Sequence, residues 1–331
     1  MAMIKVMTRN LYLGASIEPI LAATSRADIP HRMAAAWSMA CATRPDERAL
    51  ALAAEIDRIQ PHLLGLQEAW ILHSAAPAPA PQSKDPDTPE MPLDLLSALL
   101  RVIGRRPQPY SVVAASAASD FRLPSATGHE IRARDSDVVL ARSDIAITNP
   151  RATSFDIKAN IRLGGPSGPP VSIVRTWTSI DADVGGQALR FVSTHLETGD
   201  FPEIQIAQAS ELVRNLADCP LPVVLVGDFN FEPGDRTAAY RVLSDAGFED
   251  VWQLANPLDA GPTCCHAEDL RESALDLGDR IDLILIRDGD GASIEAVAAE
   301  RVGCDPESRT SSGLWPSDHA GVAATLHIDP R

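Results

Sequence analysis

Short runs of branched apolar residues, each closing on polar groups, recur along this chain and alternate with stretches of helical period. Such runs mark buried strands, because a strand covered on both faces has no polar side to present. The strongest are VVLVGDFN (Val223–Asn230), IDLILIR (Ile281–Arg287) and LRFVSTHLE (Leu189–Glu197). DVVLAR (Asp137–Arg142), VSIVRTWTSI (Val171–Ile180) and the C-terminal GVAATLHI repeat the pattern, and MAMIKVM reads as an opening strand. In RPDERALALAAEIDRIQP, residues Leu50, Leu52, Ala53, Ile56 and Ile59 share one stripe between Pro45 and Pro61, which predicts a helix over Asp46–Gln60. Pro202–Ala217 predicts a second, with Ile204, Ala207, Leu212, Val213 and Leu216 inward. Strands alternating with helices argue for an α/β protein.

With 331 residues, 45% of them hydrophobic, the chain can bury a large core without disulfide staples. A single domain over 1–331 is expected, with the Pro-rich stretch near 74–92 as a surface loop inside it. No apolar run is long enough to span a bilayer, and the N-terminus lacks the basic and apolar regions of a secretory signal. The five cysteines, Cys41, Cys219, Cys264, Cys265 and Cys304, are odd in number and scattered, so reduced thiols in a cytoplasmic protein are expected. Cys264-Cys265-His266 has no CxxC partner and reads as packing rather than a zinc site. Basic residues number 29 against 45 acidic, a net charge of −16, which weighs against a protein whose main task is gripping a nucleic-acid backbone.

Candidate chemistry sits where strands end. In PVVLVGDFNFEP, Asp228 and Asn230 stand two positions apart, so strand periodicity would aim both to one side. That pair suits orienting a water and bonding a phosphate oxygen; an Asx turn is the plainer alternative. LWPSDHA offers Asp318 beside His319. Glu68 ends the apolar run of LLGLQEAW, where an unpaired buried carboxylate would be costly. FVSTHLETGD delivers His195 at a strand exit. Asp282 in DRIDLILI needs a partner, and a histidine is the natural one, since a carboxylate orients and charges an imidazole.

In their order, Asn near the first strand, QE, THLE, GDFN, RID and SDH, these motifs resemble those of the endonuclease/exonuclease/phosphatase superfamily, the DNase I-like fold. The resemblance runs from Lys5 to about Ile328 and implies a four-layer α/β sandwich, two mixed sheets face to face with helices outside. It further implies that Glu68 is the principal ligand of a divalent cation, Mg²⁺ or Mn²⁺, aided by Asn10 and Asp318. Asp228 would align or deprotonate the attacking water, Asn230 would contact phosphate, and His319, oriented by Asp282, would stabilise the transition state. His195 resembles a candidate general acid with Asp135 as its acidic partner, and Arg175, inside its strand, is a candidate phosphate contact, with a surface or packing role as the equal alternative. The chain departs from the family in carrying Arg9 where a Trp often precedes Asn10. Tyr12 stands where abasic-site endonucleases have an Asp, and those enzymes lack the THLE histidine. The insertion near 12–45 exceeds that of compact members and is expected to form a helical cover.

The resulting expectation is a metal-dependent phosphoesterase acting on a small-molecule, nucleotide or head-group phosphate ester. A DNase I-like endo- or exonuclease is the alternative and a non-catalytic scaffold the third reading.

Overall fold

The computed structural model describes residues 2–75, 92–234, 236–273 and 277–331. Apart from Ser74, Ala75 and Pro92, the loop expected at 74–92 lies outside them. In chain order the elements are β1 (Ala2–Asn10), α1 (Glu18–Leu21), α2 (Ile29–Ala42), α3 (Pro45–Ile59), β2 (Leu63–Gln67), β3 (Ile71–Ala75), β4 (Leu93–Asp94) and α4 (Leu95–Ile103). Next come β5 (Tyr110–Pro124), β6 (Glu130–Arg142), β7 (Ala146–Ser154), β8 (Ala159–Arg162), β9 (Pro170–Ile173), β10 (Thr176–Val184), β11 (Gln187–His195) and α5 (Pro202–Leu216). The chain closes with β12 (Val223–Asp228), α6 (Ala238–Asp245), β13 (Glu249–Asp250), α7 (Val251–Ala255), β14 (Asp282–Arg287), β15 (Ala292–Val302) and β16 (Gly321–Pro330).

Eight strands form a first sheet in the order β15-β16-β1-β2-β6-β3-β4, with β5 also on β6. Six form a second in the order β13-β14-β12-β11-β10-β7. Both are mixed: β1 runs parallel to β2 and β11 parallel to β12, while the other pairings are antiparallel. The sheets face each other across a core that includes Ile4, Val6, Leu63 and Val139 from the first and Phe191, Val224, Val226 and Ile284 from the second. Burying such a side chain is worth about 1.5–3 kcal/mol each. Helices α3 and α4 cover the outer face of the first sheet through Leu52, Ile56 and Leu99; α5 and α6 cover the second through Leu212 and Leu243. Four layers result. Helices α1 and α2, inside the insertion expected at 12–45, pack Ile20, Met33 and Trp37 against Leu72, Ile131 and Ala133 of the first sheet.

Three local expectations change. The run Val171–Ile180 is broken at Val174 and Arg175, because β9 pairs with β8 in a separate two-stranded sheet whereas β10 joins the second large sheet. The run Val223–Asn230 stops at Asp228, since Asn230 turns into the left-handed region at φ 52°. Leu50, placed on the inward stripe of α3 by periodicity, is 60% exposed, because it lies roughly 120° round the helix from the centre of that stripe.

Candidate active site

Sheet register alone assembles half of the site. On neighbouring strands of the second sheet, His195 ends β11 opposite Asp228 of β12, and Asp228 lies opposite Asp282 of β14. All three are buried. Gly227 has φ 153°, and a Cβ there would meet the Thr194 carbonyl oxygen at 1.9 Å, so only glycine lets β11 and β12 approach just before the site. His319 arrives from the loop before β16, with Nδ1 2.8 Å from Asp282 Oδ2. Asp228 Oδ2 then lies between two imidazoles, 3.6 Å from His195 Nε2 and 3.9 Å from His319 Nε2.

The two imidazoles are electrostatically opposite. Burial works against charge on His319, but Asp282, Asp318 and Asp228 together outweigh it and hold its pKa well above the usual value, so it is a cation. Burial, the Arg175 charge and the His319 charge all push His195 well below the usual histidine value, so it is neutral. Burial and the Asp282 charge push Asp228 up to about 7, against the opposing pull of His319, Asn10 and Asn230.

Arg175 enters through the break between β9 and β10. Its Nε and Nη2 donate to Glu197 Oε1 at 3.3 and 3.2 Å, and Nη1 stands 2.8 Å from His195 Nε2. The same Nη1 is 3.2 Å from His195 Nδ1, and since a guanidinium only donates, the imidazole accepts from it on one ring nitrogen. Asp135 is not the partner expected for His195: among the described residues no ion pair joins them, and the carboxylate beside His195 is that of Asp228. Asp135 instead accepts from the Ser136 N–H at 2.7 Å, and its pKa rises to about 7 through burial and the Glu68 charge, with Arg175 opposing. Asn230 reaches the site by another route than strand alternation. Asp228 Oδ1 accepts the Asn230 backbone N–H at 2.9 Å, an Asx turn, and Asn230 Nδ2 donates to the Leu196 carbonyl at 2.9 Å.

The other half comes from chain that leaves the first sheet. Asn10 Nδ2 donates to Glu68 Oε1 at 3.1 Å and to Asp228 Oδ2 at 3.0 Å, so one amide links the two sheets' carboxylates. Glu68 follows β2 at φ 56° and Tyr12 follows β1 at φ 60°, both in the left-handed region that side chains other than Gly and Asn seldom adopt. Glu68 Oε2 accepts the Leu13 N–H at 3.3 Å. Burial lifts Asp318 to about 6, with Glu68 and Asp282 adding to the rise and His319 and Arg48 opposing it.

Buried arginines pin these turns. Arg9 donates from Nε and Nη2 to Glu55 at 3.0 and 3.1 Å and from Nη1 to the His319 carbonyl. Arg48 donates to the carbonyls of Leu11, of Tyr12 at 2.9 Å and of Pro316 at 2.9 Å. Sequence reasoning missed Arg48 and Glu55, and saw Arg9 only as a departure from Trp. The signal was present: Arg48, Leu52, Glu55, Ile56 and Ile59 share one helical stripe, which places two charges on the buried face.

The model of the Endonuclease/Exonuclease/phosphatase family matches residues 36–319. The chain belongs to this family. None of the curated proteins compared with it matches. An endonuclease/exonuclease/phosphatase family protein from Leptotrichia buccalis superposes with a TM-score of 0.59 at 16% identity, over 98% of this chain and 99% of that one. D. rerio TDP2 complexed with a single-strand DNA product gives 0.56 at 13%, over 99% and 100%. An endonuclease/exonuclease/phosphatase from Beutenbergia cavernae gives 0.55 at 18%, over 99% and 72%. At these identities the likeness establishes the DNase I-like fold. Members of the endonuclease/exonuclease/phosphatase family are typically hydrolases of phosphoester bonds and generally depend on a divalent cation.

The donor set here fits such an ion. Glu68 and Asp318 bring like charges into one partly buried space, and Asp282 Oδ1 is buried without a hydrogen-bond partner. Oxygen donors and clustered negative charge are what a hard cation takes. One atom each from Asp228, Asp282 and His319 also lies within 4.8 Å of the others.

Cys264 and Cys265 lie side by side, and Cys41, Cys219 and Cys304 are free. His266 stacks on Trp315, with ring centroids 4.3 Å apart, so it packs as expected. The histidine near the sulfurs is His319, whose Nε2 is 3.9 Å from Cys265 Sγ.

Proposed function

We propose that this chain hydrolyses a phosphate ester by cation-assisted attack of water, with Glu68 and Asp318 holding Mg²⁺ or Mn²⁺ and Asn10 fixing Glu68 in place. The observation that carries the reading is that Asp228, its pKa raised toward neutrality, stands between a cationic and a neutral imidazole at the strand exits. A bound divalent cation would supply charge neutralisation at the phosphoryl and leaving oxygens.

The chain's own residues account for the rest. Asp228 takes a proton from the attacking water, a role served by a pKa near working pH. Cationic His319, oriented by Asp282, donates to a nonbridging phosphate oxygen, and Asn230 offers its remaining amide N–H. Arg175 provides a second positive charge facing the same space. While Arg175 donates to the His195 ring, that imidazole is an acceptor. It becomes a proton donor to the leaving group only once the guanidinium turns to the substrate's phosphate and His195 takes up a proton.

A small-molecule, nucleotide or head-group ester is favoured by the net charge of −16, which repels a long polyanion. A nuclease is the second reading, supported by the likeness to D. rerio TDP2 complexed with single-strand DNA product. Purified protein should hydrolyse bis(p-nitrophenyl) phosphate with Mg²⁺ or Mn²⁺ and lose that activity to a chelator, recovering it when the cation is restored. Turnover unaffected by the chelator would sink the reading. Plasmid DNA, RNA and a panel of phosphate esters, compared at equal cation, separate the two substrate classes.

A further inference from the structure

Glu197, the last residue of THLE, is buried beside the candidate site and has no part in the hydrolysis proposed above. Its Oε1 accepts from Arg175 Nε at 3.3 Å, from Arg175 Nη2 at 3.2 Å and from the Thr198 N–H at 3.1 Å. Its Oε2 is buried and has no hydrogen-bond partner among the described residues. A carboxylate that served only to neutralise an arginine would pair with it through both oxygens, the arrangement in which the two planar forks match. Here one oxygen is crowded and the other bare, and a bare buried carboxylate oxygen is costly.

The chain around the pair fixes both backbones and leaves the guanidinium as the movable part. The Val174 N–H donates to Ser119 Oγ at 3.1 Å, and the Arg175 carbonyl accepts the Phe155 N–H at 3.0 Å. Helix α5 holds Glu197: Gln208 Oε1 accepts its N–H at 2.9 Å, and Gln205 Nε2 donates to its carbonyl at 2.6 Å. Gln205 Nε2 also donates to the Asn230 carbonyl at 2.9 Å, which ties Glu197 to the turn that presents Asn230. With Nε and one N–H of Nη2 on Glu197, the guanidinium keeps a free edge made of Nη1 and the second N–H of Nη2. Such an edge matches two oxygens of one phosphate. As the chain stands, Nη1 is instead turned to the His195 ring, 2.8 Å from Nε2 and 3.2 Å from Nδ1. Burial works against charge on Arg175, but Glu197, Asp135, Glu68 and Asp228 outweigh it and raise its pKa, so the edge carries a full positive charge.

We infer that Glu197 is the positioning residue of Arg175: Oε1 holds the guanidinium against the His195 ring, and the bare Oε2 is the second seat onto which Nη2 moves as the free edge turns to a substrate phosphate. Only hydrogen bonds are exchanged in the movement. It converts a crowded, one-oxygen pair into a matched two-oxygen pair, so the carboxylate favours the turn rather than resisting it. Gripping phosphate and releasing the His195 ring become one event. The identity of the anion as a phosphate ester rests on the function proposed above; the pairing of Glu197 with Arg175 in anion binding does not.

The test reads phosphate binding apart from turnover. Inorganic phosphate is titrated calorimetrically into the full chain with Mg²⁺, for wild type, Glu197→Gln, Arg175→Ala and the double variant. KM and kcat for bis(p-nitrophenyl) phosphate are measured beside it. Glu197→Gln keeps the size of the side chain and removes its charge and its second acceptor. Phosphate affinity should fall about 10- to 100-fold, the worth of a hydrogen bond to a charged group, with KM rising in step and kcat changing less. Arg175→Ala should lose at least as much, and the double variant no more than Arg175→Ala, because the two residues act as one unit. Millimolar guanidinium chloride should restore phosphate affinity to Arg175→Ala, and should do so less well in the double variant. Unchanged affinity in Glu197→Gln, or losses that multiply in the double variant, overturn the inference. Failure of guanidinium to rescue Arg175→Ala overturns it as well, a readout that needs no Glu197 variant to fold. A chain that follows the expected pattern with phosphate but hydrolyses no ester overturns the functional reading and leaves Glu197 in this role.

Discussion

The two halves of the candidate site are positioned by different means. His195, Asp228 and Asp282 stand on three adjacent strands of the second sheet, and their spacing follows from the hydrogen-bond register. Asn10 ends a strand of the first sheet, but Glu68, Asp318 and His319 lie on chain beyond strand ends, in turns with no ladder of their own. The turns after β1 and before β16 are held by Arg9, Glu55 and Arg48, and Glu68 by Asn10 and the Leu13 N–H. The register half places residues at fixed spacing and tolerates side-chain change. The clamped half depends on individual buried charges, each costly if left alone.

Replacing Asp228 with Asn tests the register half and carries the largest effect on turnover. The side chain keeps its shape and its place on β12, and the proposed base is lost. Hydrolysis should fall by about 10²–10⁴-fold, the usual worth of a positioned general base, while the melting temperature holds or rises because a buried carboxylate is relieved. A variant with near-normal rates would remove Asp228 from the mechanism.

Arg9→Met tests the clamped half and reads mainly in stability. It leaves Glu55 buried beneath the sheet without its bidentate partner and the His319 carbonyl without its donor. Breaking a buried pair costs about 3–5 kcal/mol, so denaturant unfolding should show a loss of that order. The double variant Arg9→Met, Glu55→Leu should recover most of it, because no lone charge remains. Recovery of stability without recovery of turnover would show that Arg9 also positions His319; full recovery of both would reduce it to a structural pair.

The same division governs what the sequence could reveal. The strands of the register half are continuous runs of Val, Ile and Leu, so VVLVGD and DLILIR are legible, and the polar residue at each end marks the site. The strand Ala292–Val302, ASIEAVAAERV, is composed largely of good helix formers and becomes a strand only by pairing with β16. Ala and Ser likewise mask Tyr110–Pro124, whose partner is β6. In the clamped half, motif order picked out Glu68, Asp318 and His319, but what holds them was hidden. Arg9 and Glu55 are 46 residues apart in sequence, and their pairing exists only after β1 and α3 are packed. The resemblance pairs Asp135 with His195; register puts Asp228 opposite instead.

Proton linkage separates the halves with the smallest effect. In cation-free protein Asp318 is raised to about 6, and Asp135 and Asp228 to about 7, from an ordinary 3.8. Burial heads the causes for each. A raised folded-state value means that the folded chain binds the proton more tightly. The associated stability is complete below about pH 4 and is lost as pH climbs through 6 and 7. His319, raised well above its ordinary value, acts in the same sense at higher pH. His195 is lowered and opposes them: its contribution is lost as pH falls below the ordinary histidine value. Three carboxylates against one imidazole give a melting temperature that falls between pH 5 and pH 8 by roughly 1.5 °C or more, a ΔΔG above about 1 kcal/mol. Asp318→Asn should flatten the lower part of that fall and Asp228→Asn the upper part. Under the proposed ligation by Glu68 and Asp318, Mg²⁺ should act like the first substitution, stabilising more at pH 8 than at pH 5. A cation-free melting temperature that instead climbs steadily from pH 5 to pH 8 would mean that these carboxylates are not held together in the folded chain.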